Sequence, residues 1–442
     1  MRRILIDLTD LELWNGNHGG TQRVVYNISR YFYLAQVSLE QEVEFMTFSD
    51  RDGAFHTADF SGIYEKVESH RAATDVYSNP GLSRKARLKH RLRPYVPEKI
   101  RKSKRARQIV IRSASIGLRL SKQARRAPKR AKSLSKSSER VAFQKDDIVL
   151  ILGKPWDNLK IQETLSRQRN VVGFKLVQVV YDLIISLQPQ LHHPSLFTPY
   201  TQNMFNAISD SDLLLPISKS SAQDLKKFCK LLNLQVPKTA VIRLGDETVD
   251  NLEDNLVKPD ARIKDRFIAC IGTIEIRKNH MLLYYAYKLG LKKGLDLPQL
   301  VVVGSRGWLS GDFQYLVEND PALKDKIVIL DNVNDTGLQW IYKDCLFTVY
   351  PSLYEGWGLP VAESLAYNTF CIASDSSSIP EIAGDLIDYF SPYSADECLE
   401  KLMTYQDKTE RDKKTELLAK HYRPTTWQET SEHLLLLLND LP

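Results

Sequence analysis

Cysteine is scarce in this sequence. Its 442 residues hold five, Cys229, Cys270, Cys345, Cys371 and Cys398, an odd number with no short paired spacing. Such usage implies neither a zinc site nor a disulfide framework and reads as buried free thiols. Long apolar runs are also missing. None approaches the roughly 20 residues that a membrane span needs, and residues 1–7 reach their first acid too soon for a secretory leader. The expectation is a cytoplasmic protein. Acids are nearly absent from residues 84–140, where 22 Lys and Arg face only Glu98 and Glu139. The modest net charge of +7 therefore conceals one strongly basic segment in an otherwise acidic chain.

What is present is α/β alternation in two halves, and the length fits two domains of ordinary size. Arg3-Ile4-Leu5-Ile6-Asp7-Leu8 reads as a first strand and the stretch from Thr21 to Tyr33 as a helix. Between them, Trp14-Asn15-Gly16-Asn17-His18-Gly19-Gly20 is neither a dinucleotide fingerprint nor a phosphate loop. Its adjacent glycines do allow a ligand close to backbone, and Thr21 is placed to cap the helix. Later strands are read at residues 147–153, 175–182 and 212–218. The second of these ends on Tyr181-Asp182, beyond a strand's carboxyl end, where open parallel sheets bind ligands. A polar stretch, 246–262, is the expected interdomain linker.

The basic segment, about residues 78–140, interrupts the first half. It admits three readings: a solvated insertion, a surface for anionic lipid, or a nucleic-acid contact. The last is disfavoured because the aromatic interleaving of a single-strand binder is absent.

The second half opens with a strand at 267–272, followed by Thr273-Ile274-Glu275-Ile276-Arg277-Lys278-Asn279-His280 and a helix from Met281. Adjacent cations just past a strand form a clamp suited to a diphosphate, Arg277 by bidentate contact and Lys278 as a point charge. Two solvated loop cations are the plainer alternative. Further strands are read at 300–304 and 327–333. Leu346-Phe347-Thr348-Val349-Tyr350 then leads through Glu355-Gly356-Trp357-Gly358 into a helix with Pro360 first. Its N-terminus, preceded by two glycines, offers unpaired N–H groups to a phosphate or a ring of hydroxyls. Glu355 and Glu363, read as lying in the loop and the first helical turn, could both accept from those hydroxyls. Otherwise, Glu363 complements the dipole and Glu355 is a solvated loop acid.

These residues resemble the retaining, nucleotide-sugar-dependent glycosyltransferases of family 4, with two facing Rossmann-like domains (GT-B). The resemblance rests on Gly272-Thr273-Ile274-Glu275-Ile276-Arg277-Lys278-Asn279, the E-x7-E pattern from Glu355 to Glu363, and Gly19-Gly20-Thr21-Gln22-Arg23-Val24-Val25. Tyr181-Asp182-Leu183-Ile184 and the closing Thr425-Thr426-Trp427-Gln428-Glu429-Thr430 add to it. It covers residues 267–438 almost completely and the first half in patches. It implies an acceptor-side domain over 1–250, a donor domain over 251–420 and a final helix, 421–442, crossing back.

It also implies roles. Glu355 would meet donor-sugar hydroxyls and Glu363 the ribose. Gly358 and Leu359 would give N–H groups to sugar or phosphate, and Arg277 with Lys278 would hold the diphosphate. Asn332 and Val333 would read the base, Gly19 and Gly20 would border the diphosphate, and Tyr181-Asp182 would line the reaction centre. Two departures stand out. Thr273 occupies a position where many members carry arginine, and Tyr181 one where many carry histidine.

The expected activity is transfer of a hexose or deoxyhexose to a lipid-linked glycan in polysaccharide synthesis. The donor is a nucleotide sugar, with no cofactor and no metal. Residues 84–140 would rest on the anionic inner face of the cell membrane. The competing readings are a nucleotide-sugar epimerase, a soluble small-acceptor transferase, and a scaffold or nucleic-acid protein acting through its basic segment.

Overall fold

The computed structural model describes residues 2–12, 20–36, 39, 41–67, 139–247, 256–331 and 333–442. Gly19, Asn332 and almost all of the basic segment lie outside these described residues. The chain forms two compact units, Met1–Phe60 with Arg140–Pro442, and Ser61–Glu139. Only 61–67 and 139 of the second unit are described, the former helical.

Among the described residues, twelve strands make two six-stranded sheets. The first comprises β1 (Arg3–Asp7), β2 (Glu42–Ser49), β3 (Ala54–Ala58), β4 (Ile148–Ile151), β5 (Lys175–Val180) and β6 (Leu213–Pro216). Its order is β3-β2-β1-β4-β5-β6, parallel except that β3 runs against β2. The second comprises β7 (Phe267–Ile271), β8 (Gln299–Val303), β9 (Ile327–Leu330), β10 (Thr348–Tyr350), β11 (Cys371–Ser374) and β12 (Asp388–Phe390). Its order, β12-β11-β10-β7-β8-β9, is the same doubly wound arrangement, and all of its pairs are parallel.

Helices cover both faces of each sheet, so the inner strands carry apolar residues on both sides. On one face of the first sheet Leu5, Met46, Val149 and Leu176 pack together, and further along the same face Val180 and Leu214 pack with Tyr200, Met204 and Phe228. Phe267, Val301, Val328 and Ile341 do the same in the second. The five cysteines are buried and free. No helix among the described residues is long and apolar enough to cross a membrane.

The order of strands reverses between β1 and β4 in one sheet and between β7 and β10 in the other. In such sheets ligands settle beyond the strands' carboxyl ends at that reversal. The fold thereby singles out two places: the loops after β1 and β4, and the loops after β7 and β10.

The chain passes between the halves at a buried node. Asp246 is fully buried and accepts from the Thr425 N–H and the Tyr422 hydroxyl, so the outgoing and returning strands of chain are tied together. The returning helix, Trp427–Asn439, starts with a capping box from Thr426 and Glu429. It buries Leu434 and Leu438, leaves Leu436 63% exposed, and packs on the first-half helix Gly20–Ala35.

Candidate functional site

The loop after β7 turns at Gly272, whose φ of +141° favours glycine. It packs back to back with the loop after β8. A Cβ on Gly304 would lie 2.0 Å from the Gly272 carbonyl oxygen, and one on Gly307 would meet the Thr273 methyl at 2.8 Å. Thr273 is thus held against this neighbouring loop. A short turn, Ile276–Lys278, then delivers both cations. The loop after β10 is laced to it, because the Arg277 carbonyl accepts from Leu353 N at 2.8 Å and from Ser352 Oγ at 3.1 Å. Asn279 adds bonds to the carbonyls of Pro351 and Pro392.

That lacing brings Glu355 between the cations. The carboxylate is 6% exposed. Its Oε1 accepts from Lys278 Nζ at 2.7 Å, from the Tyr350 hydroxyl at 2.9 Å and from the Ser352 hydroxyl, while Oε2 faces Arg277 Nη1 at 2.5 Å. Arg277 Nη2 in turn donates to Glu275 Oε1 at 2.6 Å. Burial pushes Glu355 up, but Arg277 and Lys278 overturn that and hold it down at about 2. Burial lowers Lys278 despite Glu355, and raises Glu275 despite Arg277. The cluster is two cations and two carboxylates, already neutral and oriented. A further lone pair on Glu355 Oε2, which has fewer partners than Oε1, is where a ligand hydroxyl could bind.

The helix after the glycines spans Leu359–Ala366, so Pro360 is its second residue and Glu363 its fifth, past the first turn in which the sequence places it. Gly358 precedes it with φ of +125°. Gly356 is required for a different reason. A Cβ there would sit 2.3 Å from the Tyr181 carbonyl oxygen, so the end of β5 closes directly onto this loop. Glu363 is also met from the first half, because Arg23 Nη1 pairs with its Oε1 while the Tyr342 hydroxyl donates to Oε2 at 2.9 Å. Arg23 lies on the helix Gly20–Ala35, which begins one residue before Thr21, so Thr21 is inside the helix and not its cap. Gly20, at its start, faces Leu359 of the other half, with a Cβ position 3.7 Å from Leu359 Cδ1.

Tyr181 and Asp182 lie at the end of β5 as expected, with their polar atoms engaged locally. The Tyr181 hydroxyl donates to the Leu152 carbonyl at 2.6 Å, and Asp182 Oδ1 accepts from Ile184 N at 3.0 Å. Burial raises Asp182, with Arg277 opposing. Val333 packs its side chain on the core of the second sheet, next to Asn334, which caps the helix Asp335–Asp344. No group of three or more His, Cys, Asp or Glu that could hold a metal ion occurs among the described residues.

The halves also meet beside the cluster. Tyr354 donates to Asp224 at 2.6 Å, and Glu381 accepts from the N–H groups of Lys219 and Ser220 at 2.8 and 2.7 Å. The Trp308 indole donates to the Leu191 carbonyl at 3.2 Å and its ring stacks on His192 at 5.4 Å.

Sequence reasoning missed several charged or aromatic residues near these loops. Asp7, at the end of β1, is pushed up to about 7 by burial, against hydrogen bonds from Thr9. Asp10 accepts from Lys154 N at 2.7 Å. These two, with His192 and Trp308, belong to no contiguous motif, and only the fold brings them to the loops.

Comparison with known proteins bears on both halves. Residues 253–420 match the family described as "Glycosyl transferases group 1". The chain is 27% identical over 288 residues to the serotype-specific mannosyltransferase WbdA of Escherichia coli, covering 62% of this chain and 34% of WbdA. It therefore spans about a third of the length of that relative. It is 29% identical over 198 residues to the N-acetylgalactosamine-N,N'-diacetylbacillosaminyl-diphospho-undecaprenol 4-alpha-N-acetylgalactosaminyltransferase of Campylobacter jejuni, covering 42% of this chain and 50% of that one. Among solved structures, S. aureus TarM superposes over 100% of this chain and 99% of its own, at a TM-score of 0.57 and 13% identity. At that identity the likeness establishes the architecture, the two-domain α/β fold called GT-B.

Proposed function

We propose that this chain, whose residues 253–420 match the family described as "Glycosyl transferases group 1", transfers a hexose or deoxyhexose from a nucleotide sugar to a lipid-linked glycan, with retention at the anomeric carbon, in cell-surface polysaccharide synthesis. The observation that carries this reading is the placement of Arg277, Lys278 and Glu355 at the strand-order reversal of the second sheet, beside the N-terminus of the helix Leu359–Ala366. The relatives named above support the substrate class: one is a mannosyltransferase, and the name of another carries a diphospho-undecaprenol acceptor.

In this reading the donor diphosphate lies against Arg277, Lys278 and the N–H groups at Gly358 and Leu359, and needs no cofactor. Preorganised donors stabilise the charge that grows on the leaving phosphate. Glu355 holds the cations in place and offers Oε2 to a hydroxyl of the sugar. The bond from the anomeric carbon to the phosphate oxygen breaks while the bond to the acceptor oxygen forms on the same face. The acceptor's proton passes to the leaving phosphate oxygen. Glu363 takes the ribose once Arg23 releases its Oε1, Asn332 and Val333 read the base, Gly19 and Gly20 border the diphosphate and the acceptor side, and Tyr181 with Asp182 lines the reaction centre. Residues 84–140, with 22 Lys and Arg, rest on anionic lipid at the inner membrane face.

The test is a transfer assay with a panel of nucleotide hexoses and an undecaprenyl-diphosphate glycan, with the anomeric configuration of the product read by NMR. A retained linkage supports the proposal. An inverted product refutes the stereochemical part, and the absence of transfer from every donor refutes the whole.

A further inference from the structure

Of the three histidines His192, His193 and His280, one is accounted for by its own hydrogen bonds and one sits in the core. His193 caps the turn Pro194–Leu196 through Nδ1, which accepts from Ser195 N. His280 is 2% exposed and its ring tilts against Phe313 at 5.5 Å, which is core packing. The ring nitrogens of His280 and of His192 are all shielded from solvent and without a hydrogen-bond partner among the described residues. His192 differs in its place, because its side chain is only half-buried and lies where the two halves meet, against Trp308.

A buried polar group left unpaired costs about 1–3 kcal/mol, so such a group is expected to meet a partner in the working state. The ring is not free to turn away. It stacks on Trp308 of the second half with an interplanar angle of 28°, and the Trp308 indole is tied to the Leu191 carbonyl of the same loop. Prolines at 189 and 194 begin the short turns on either side and stiffen the segment. Trp308 also ties His192 to the loop of Arg277, because the Trp308 carbonyl accepts from Ile276 N at 3.3 Å. Burial first, then Arg277, lower its pKa to about 4, so it is a neutral imidazole with one donor and one acceptor nitrogen. Arg277 Nε is likewise unpaired. The Tyr181 hydroxyl, by contrast, is spent on Leu152.

We propose that His192 is a ligand contact of the first half, hydrogen-bonding hydroxyls of the sugar that is being transferred, with Trp308 as the residue that positions it. A neutral imidazole held against Trp308, beside the loop that carries Arg277, matches a pair of vicinal hydroxyls, one accepting and one donating. This inference rests on the transferase reading above and adds to it the group that recognises the sugar from the opposite side of the cleft.

The experiment is calorimetric titration of the full chain, His192→Ala and His192→Asn with nucleoside diphosphates and the corresponding nucleotide hexoses. The readout is the ratio of the two dissociation constants. The inference predicts that His192→Ala binds the bare diphosphate within twofold of wild type and the nucleotide hexose at least fivefold more weakly, with His192→Asn recovering part of the loss. An equal ratio in wild type and His192→Ala overturns it, whether both ligands are unaffected or both are weakened alike. That outcome leaves the transferase reading standing. A wild-type protein that binds neither ligand overturns the transferase reading, and this inference with it.

Discussion

Replacing Glu355 by glutamine keeps the shape of the side chain and removes its charge, which isolates what the carboxylate does for Arg277 and Lys278. Glu355 is 6% exposed and its pKa is held at about 2 against an ordinary 4.5. The shift corresponds to about 3 kcal/mol of folding stability at neutral pH, at 1.36 kcal/mol per unit. A similar figure, about 3–5 kcal/mol, is typical when one partner of a buried ion pair is removed. The sign follows from the depressed pKa. The contribution is fully present above pH 4.5 and is lost as pH falls toward 2. Urea denaturation of wild type and Glu355→Gln should therefore differ by about 3 kcal/mol at pH 7, with the difference shrinking steadily between pH 4.5 and pH 2. A gap below about 1 kcal/mol at pH 7, or one that does not change with pH, would refute the reasoning that the cluster is organised by this charge.

Asp7 should behave in the opposite sense. Its pKa is raised to about 7, so its penalty is absent at low pH and grows as pH climbs from about 4 to 7. Asp7→Asn can still accept from Thr9, and should gain about 2–3 kcal/mol on wild type between pH 5 and pH 7 in the same denaturation assay; a gain independent of pH contradicts the assignment. Gly356→Ala places a Cβ 2.3 Å from the Tyr181 carbonyl oxygen, a clash that pushes the two halves apart at this point. Small-angle scattering should show a larger radius of gyration and transfer should fall, whereas unchanged values of both would mean that the close approach is dispensable.

Much of the second half was legible because parallel strands buried on both faces read as continuous apolar runs. Phe267–Ile271, Gln299–Val303 and Ile327–Leu330 are of this kind. β2, β3 and β12 were not singled out. β12 has three residues, too few for a period, and β3 is an antiparallel edge strand whose partner is chosen by tertiary packing. Arg277, Lys278 and Glu355 were legible as types, since each sits in a short run just past a strand. Their pairing was not, because Glu355 lies 77 residues from Lys278, and two cations read as an open clamp are in fact each bound to a carboxylate. Gly356 was read as opening backbone N–H groups to a ligand, yet the structure uses it to admit the Tyr181 carbonyl. Asp7, His192 and Trp308 derive their character from burial and from neighbours that only the fold supplies.

The central claim is that Arg277 and Lys278 hold the diphosphate of a nucleotide sugar. Lys278→Ala removes one cation from a buried site while leaving Arg277 paired to both carboxylates. Titration of wild type and Lys278→Ala with a panel of nucleoside diphosphates tests it most directly. The account predicts saturable one-site binding in wild type and at least tenfold weaker binding in the variant, about 1.4 kcal/mol or more. Equal affinity in the two proteins, or no binding by the wild type, would contradict it.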